Sequence, residues 1–222
     1  MERWLVEIDE TIAANHLLKH PFYQSWTDGT LPMEALQDYA GQYYKHELSF
    51  PTYLAGIFVN CGEDTQSRRA LLENLIDEDR GEENHSELWL RFAESLGLER
   101  TEVASAVPNS CTSQTLEAFR QLCIEGTAVE GVAAINAYEE MIPEVAEAKI
   151  EGLIQHFGID DERGLAFFAL HRSLDVKHRE WNRALLKALV KTEADRKQAV
   201  AASEIAVKAL WTLLDGVQPA SC

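Results

Sequence analysis

Along almost every segment of this chain apolar residues recur at three and four positions, while strand-like alternation is absent. That period predicts helices throughout. Segments 3–18, 34–59, 65–96, 114–126, 129–156, 161–190 and 192–214 carry it. A short helix also opens at His20-Pro21-Phe22-Tyr23, where proline is tolerated in a first turn. Pro51 predicts an interruption or bend in segment 34–59, and Gly81 is a weak point in 65–96. The stretch 101–113, with Pro108-Asn109-Ser110, reads as the one loop of any length. The expected fold is an all-α bundle of seven or eight helices.

A length of 222 residues with 46% hydrophobic content suits one domain, residues 1–222, with a sizeable core. Thirty-seven acidic against twenty basic residues give a formal charge of −17, and no basic run could track a phosphate backbone. Nucleic acid is therefore not an expected partner. No apolar stretch approaches membrane-spanning length, and the first ten residues are charged and amphipathic, unlike a signal peptide. We expect a cytoplasmic protein with no membrane partner. Cys61, Cys111, Cys123 and Cys222 show no Cys-x-x-Cys pairing and are expected to be reduced thiols without a functional role.

Two fragments carry the chemistry. At about 100° per residue, Glu78 and His85, seven apart, would share one helix face. His171, Asp175 and His178 fall inside an arc of about 60° on another helix. Asp77, Asp79, Glu82 and Glu83 around Glu78 would suit a solvated face, but Trp89, Leu88 and Phe92 beside His85 turn that face inward. A sixth donor is available among Glu139, Glu140 and Glu144, which composition does not separate. Pro143 has no N–H for the carbonyl of Glu139, so a bend or bulge is expected there. Three carboxylates and three neutral imidazoles around two divalent cations leave a net charge of about +1, which suits iron or manganese better than zinc. The implied chemistry is activation of O2 at a two-metal site.

The pattern Glu78-x6-His85, Tyr138-Glu139, His171-x3-Asp175-x2-His178 resembles the haem-oxygenase-like dimetal oxidases. Within that family the chain is similar to the subgroup of the chlamydial protein associating with death domains and its bacterial relatives. The resemblance runs from about Asn15 to Leu189 and includes His20-Pro21-Phe22-Tyr23-Gln24-Ser25-Trp26, Tyr43-Tyr44-Lys45-His46 and Asn84-His85-Ser86-Glu87-Leu88-Trp89. It implies the bundle shared with thiaminase II and pyrroloquinoline quinone synthase, and Glu78, His85, Glu139, His171, Asp175 and His178 as metal ligands. The metals implied are Fe/Fe or Mn/Fe, with O2 and an external reductant as co-substrates.

The subgroup implies a para-aminobenzoate synthase feeding folate synthesis that consumes its own tyrosine, Tyr23, with Lys149 as amine donor, once per polypeptide. It also implies a homodimer. Read without the resemblance, Tyr23 is an ordinary core tyrosine. Lys149 reads as a surface amine, about 15 Å beyond Glu139 along a straight helix. Tyr43, Tyr44 and Tyr138 suit either electron relay or core packing, while His16, His46 and His156 read as structural. Two other functions fit the sequence: a dimetal oxidase acting on an external small molecule, and a binding module for a helical partner.

Overall fold

The computed structural model describes residues 2–217; Cys222 lies outside them. Among the described residues there is no strand, and the expected all-α class is what forms. The helices are α1 (Arg3–Ala14), α2 (Pro21–Thr27), α3 (Met33–Asn60), α4 (Thr65–Asp79), α5 (His85–Ser95) and α6 (Arg100–Ser105). They continue with α7 (Ser110–Arg120), α8 (Ala128–Glu139), α9 (Ile142–Gly152), α10 (Glu162–Leu189) and α11 (Glu193–Asp215). π-helical turns extend α7 over Gln121–Glu125 and α9 over Leu153–Phe157.

Among the described residues eleven α-helices form, more than the expected seven or eight, because local signals cut the long segments. Segment 65–96 is two helices: Gly81 adopts φ +94°, a left-handed conformation that suits glycine. Asn84 then caps α5 by accepting the N–H of Glu87 at 3.0 Å. Segment 129–156 breaks between Glu139 and Ile142, where Pro143 occupies the first turn of α9. The expected loop 101–113 contains the end of α6, which a reciprocal capping box of Glu99 and Glu102 nucleates. Pro51, by contrast, does not interrupt α3. Phe50, Tyr53, Leu54 and Ile57 are all buried around it, and their packing offsets the lost backbone bond, a cost of about 3 kcal/mol.

The packing places one region at the centre. Helices α4, α5 and α8 each pack against both α3 and α10, so side chains from all five can converge between them. A second layer, α11, covers α1, α7 and α8. Helix α9 lies along α10 and meets α2, whose Trp26 is fully buried. That contact is close. A Cβ on Gly152 would lie 2.3 Å from Trp26 Cδ1, and the Trp26 indole N–H donates to the Lys149 carbonyl at 3.4 Å. Gly152→Ala is therefore expected to displace the indole and cost about 1–3 kcal/mol. Chemical denaturation would check this; a variant as stable as wild type would show that the helices can part freely.

Candidate metal centre

The six donors enter from four helices. Helix α4 supplies Glu78, α5 supplies His85, α8 supplies Glu139, and α10 supplies His171, Asp175 and His178. All six are buried. Glu78 and His85 do not share a helix face, because the break at Gly81 puts them on separate helices. They nevertheless meet: His85 Nδ1 lies 3.1 Å from Glu78 Oε2 and 3.1 Å from the Glu78 carbonyl oxygen. Donor atoms of Glu78, His85 and His171 lie within 4.8 Å of one another, and so do those of Glu78, Glu139 and His178. Glu78 belongs to both groups. Asp175 joins the second through its carboxylate, 3.2 Å from His178 Nδ1.

The outer contacts fix which imidazole nitrogen faces inward. His171 Nδ1 donates to the Phe167 carbonyl at 2.8 Å, and His85 Nδ1 is committed to Glu78. Their Nε2 atoms are thereby directed to ligand use. His178 is turned the other way, with Nε2 3.4 Å from Asp77 Oδ2. His85 Nε2 and Asp175 Oδ2 are buried without a hydrogen-bond partner among the described residues. Orphaned buried polar atoms are costly, and a shared cation satisfies them. The donor set, mixed imidazole and carboxylate, fits first-row transition metals.

Electrostatics agree with that use. Burial pushes the His85 and His171 imidazoles below their ordinary value, so both are neutral, the form that binds metal. Glu78 is driven up by burial and by the neighbouring carboxylates Glu47, Glu139 and Asp175. His178 differs: against the desolvation of its own burial it is pushed up to about 11 by Asp175 and Glu139, so without metal it carries a proton that a cation would have to displace. Glu139 is fully enclosed, whereas Glu140 is half-buried and Glu144 faces out to Arg179. Asn182 and Asn74 both donate to the Glu139 carboxylate, Asn74 at 3.3 Å.

Lys149 is not a surface amine. Only 3% exposed, it projects from α9 into a cage of rings. Its Nζ lies 5.5 Å from the ring centre of Tyr23, 5.3 Å from Tyr39, 5.0 Å from Tyr43, 5.6 Å from Trp89 and 5.2 Å from Phe168. The break after Glu139 invalidates the straight-helix distance. Burial lowers the Lys149 amine to about 7, despite the opposing pull of Glu47. Tyr23 is buried, as a core tyrosine would be, and its hydroxyl is 3.0 Å from that of Tyr39. Tyr43 and Tyr138 share a short hydrogen bond at the cavity edge. Tyr44 is buried at the rim of α3, facing Lys45.

His16 and His156 serve backbone geometry: His16 accepts from Leu18 N–H at 3.3 Å, and His156 Nε2 is 3.0 Å from the Thr27 carbonyl. His46 is enclosed by Phe50, Tyr53, Phe119 and Tyr138. Cys61, Cys111 and Cys123 are free thiols.

Residues 37–211 match the family described as iron-containing redox enzyme. The chain belongs to this family. Across 226 residues it is 37% identical to a protein of Chlamydia pneumoniae named 4-aminobenzoate synthase, covering 100% of both. A protein of Nitrosomonas europaea with the same name is 35% identical, covering 97% of this chain and 91% of that one. Among solved structures, a TenA homologue from Pseudomonas syringae pv. tomato superposes with a TM-score of 0.84 at 14% identity, covering 97% and 92% of the two chains. That likeness confirms the fold expected from the sequence. This member of the family places its polar donors where its five central helices converge.

One residue at the centre escaped the sequence reading. Glu47 of α3 is 4% exposed and, with Phe50, Glu78, Tyr138, Glu139, His171 and Asp175, lines a central cavity too tight to admit a water-sized sphere. A usable signal was present: Glu47 precedes Pro51 by four residues, as Glu139 precedes Pro143. No helix of the described residues is long and apolar enough to cross a membrane.

Proposed function

We propose that this enzyme makes 4-aminobenzoate from its own tyrosine side chain, taking the nitrogen from Lys149. The relatives' names support the product, and the observation that carries the internal source is the buried Lys149 amine 5.5 Å from the ring of Tyr23. The seven carbons of a tyrosine side chain match the seven of 4-aminobenzoate. Cleavage between Cα and Cβ frees the ring with Cβ, which is oxidised to the carboxyl carbon. Nitrogen replaces the phenol oxygen, which leaves as water, and the Nζ–Cε bond of Lys149 breaks in the transfer, leaving Cε as an aldehyde, with O2 as the oxidant at both carbons.

In this reading Glu78, His85 and His171 hold one metal ion, and Glu139, Asp175 and His178 hold the other. Two iron ions, or one manganese and one iron, would supply the redox chemistry that activates O2 with electrons from an external reductant. The chain's own residues then do the rest. Burial keeps a large share of Lys149 as the free amine at neutral pH, the form able to form a C–N bond. The ring cage excludes water from that amine. Tyr39 accepts or donates at the Tyr23 hydroxyl and so fixes the ring.

The space between the donors is too tight to admit a water-sized sphere, which supports an internal substrate over an external one, since small-molecule sites usually offer roughly 300–1,000 Å³. The test is a single-turnover assay. Metal-loaded protein given reductant and O2 is expected to yield no more than one equivalent of 4-aminobenzoate, with a matching mass loss at Tyr23. Tyr39 and Tyr43 are as near to Lys149, so peptide mapping must place the loss. Product in excess of protein with Tyr23 intact would overturn the internal source. A loss at Tyr39 or Tyr43 would overturn the choice of Tyr23.

A further inference from the structure

We propose that Glu47 is a further metal ligand, a fourth carboxylate supplied by α3, which gives no other donor to the centre. The inference rests on the reading that the centre holds two divalent ions. Glu47 shares the central cavity with Glu78, Glu139, His171 and Asp175 and is almost fully enclosed. A desolvated carboxylate needs a cation or strong donors. Among the described residues its side chain has no hydrogen-bond donor and no ion pair, not even with Lys149, although that amine is the one basic side chain whose charge acts on it. The same cavity holds the orphaned Asp175 Oδ2, so a carboxylate oxygen of α10 that lacks a donor lies on the space that Glu47 also lines.

Charge arithmetic points the same way. Two divalent ions carry +4, and Glu78, Glu139 and Asp175 return −3. Glu47 supplies the missing unit, which makes the reduced centre neutral. Neutrality matters in a site closed to water, where an uncompensated unit charge is costly. With Glu47 engaged by metal, its charge no longer raises the Lys149 amine, and the neutral form is favoured. The backbone adds a local reason. Pro51 cannot bond the Glu47 carbonyl, just as Pro143 cannot bond that of Glu139. Both glutamates therefore sit where the helix ladder is already loosened, which gives a ligand freedom to adjust.

The test compares wild type, Glu47→Gln and Glu47→Asp after removal of metal, by anaerobic titration with Fe(II) and with Mn(II) against a chromophoric chelator. Wild type is expected to take two equivalents. Glu47→Gln should bind at least one of them roughly 10–100-fold more weakly, with an altered Mn(II) EPR spectrum. Glu47→Asp, which keeps the carboxylate, should recover part of the affinity. Metal-free Glu47→Gln should melt no lower than metal-free wild type, because an uncharged amide replaces a carboxyl whose ionisation burial opposes, and this shows that it folds. Should it not fold, Glu47→Asp carries the comparison, with weaker binding of one equivalent expected. Unchanged affinity and EPR spectrum in the variant would overturn the role of Glu47. A wild-type protein that takes fewer than two equivalents would instead overturn the two-metal reading beneath it. Neither result depends on whether 4-aminobenzoate is made.

Discussion

Lys149→Met is expected to reduce 4-aminobenzoate formation roughly 1,000-fold or more while leaving metal content and helical content at wild-type levels. Methionine nearly matches the length of the lysine stem and suits a cage of Tyr23, Tyr39, Tyr43, Trp89 and Phe168. Thermal stability should not fall, since the variant no longer buries an amine that desolvation disfavours in its charged form. Lys149→Arg should not rescue the product, because a guanidinium stays charged and hydrogen-bonded. Protein carrying 15N only in lysine is expected to release 15N-labelled 4-aminobenzoate. Unlabelled product, or normal yield from the methionine variant, would move the nitrogen source elsewhere.

The burial of that lysine is what periodicity could not foresee. Lys149 stands between Glu147 and Glu151 in sequence, which reads as a wet helix face. Its direction is set by the break between α8 and α9, and then by α2 folding over α9 through Trp26 and Gly152. Both are tertiary facts. The proline that causes the break was legible, and so was its position four residues after Glu139. The same signal at Pro51 pointed to Glu47 but also suggested an interruption that packing suppresses.

Glu78 and His85 teach a different lesson. Their meeting was legible from spacing, yet the assumed mechanism, one continuous helix face, was wrong. A seven-residue separation can be closed by a helix turn count or by a tight reversal. Gly81 and the Asn84 cap select the reversal. The three donors of α10 behaved more simply, because Glu162–Leu189 is one uninterrupted helix and its angular arithmetic holds. Helix continuity thus decided where sequence spacing could be converted into geometry.

Stripping the metals is expected to lower the melting temperature by about 8–16 °C near neutral pH. Free metal at roughly 1,000 times the dissociation constant of one site, with the other held only weakly, adds about 4 kcal/mol, and a chain of this size gains about 2–4 °C per kcal/mol. The difference should depend on pH in a defined direction. Burial, with Glu139 adding to it, pushes Asp175 from its ordinary 3.8 up to about 7 in the metal-free fold. A raised carboxyl favours the folded state when protonated. Its contribution is therefore fully present below pH 3.8 and is lost as pH rises through about 7. Glu78 is raised for the same reason and acts in the same direction. Metal replaces these protons, so loaded protein escapes the loss while binding more tightly as pH rises. Calorimetry of both forms from pH 4 to 7 should show the gap widening, with metal-free protein accounting for most of the change. A constant gap across that range would mean that Asp175 and Glu78 release no protons on loading, and would remove them from the ligand set.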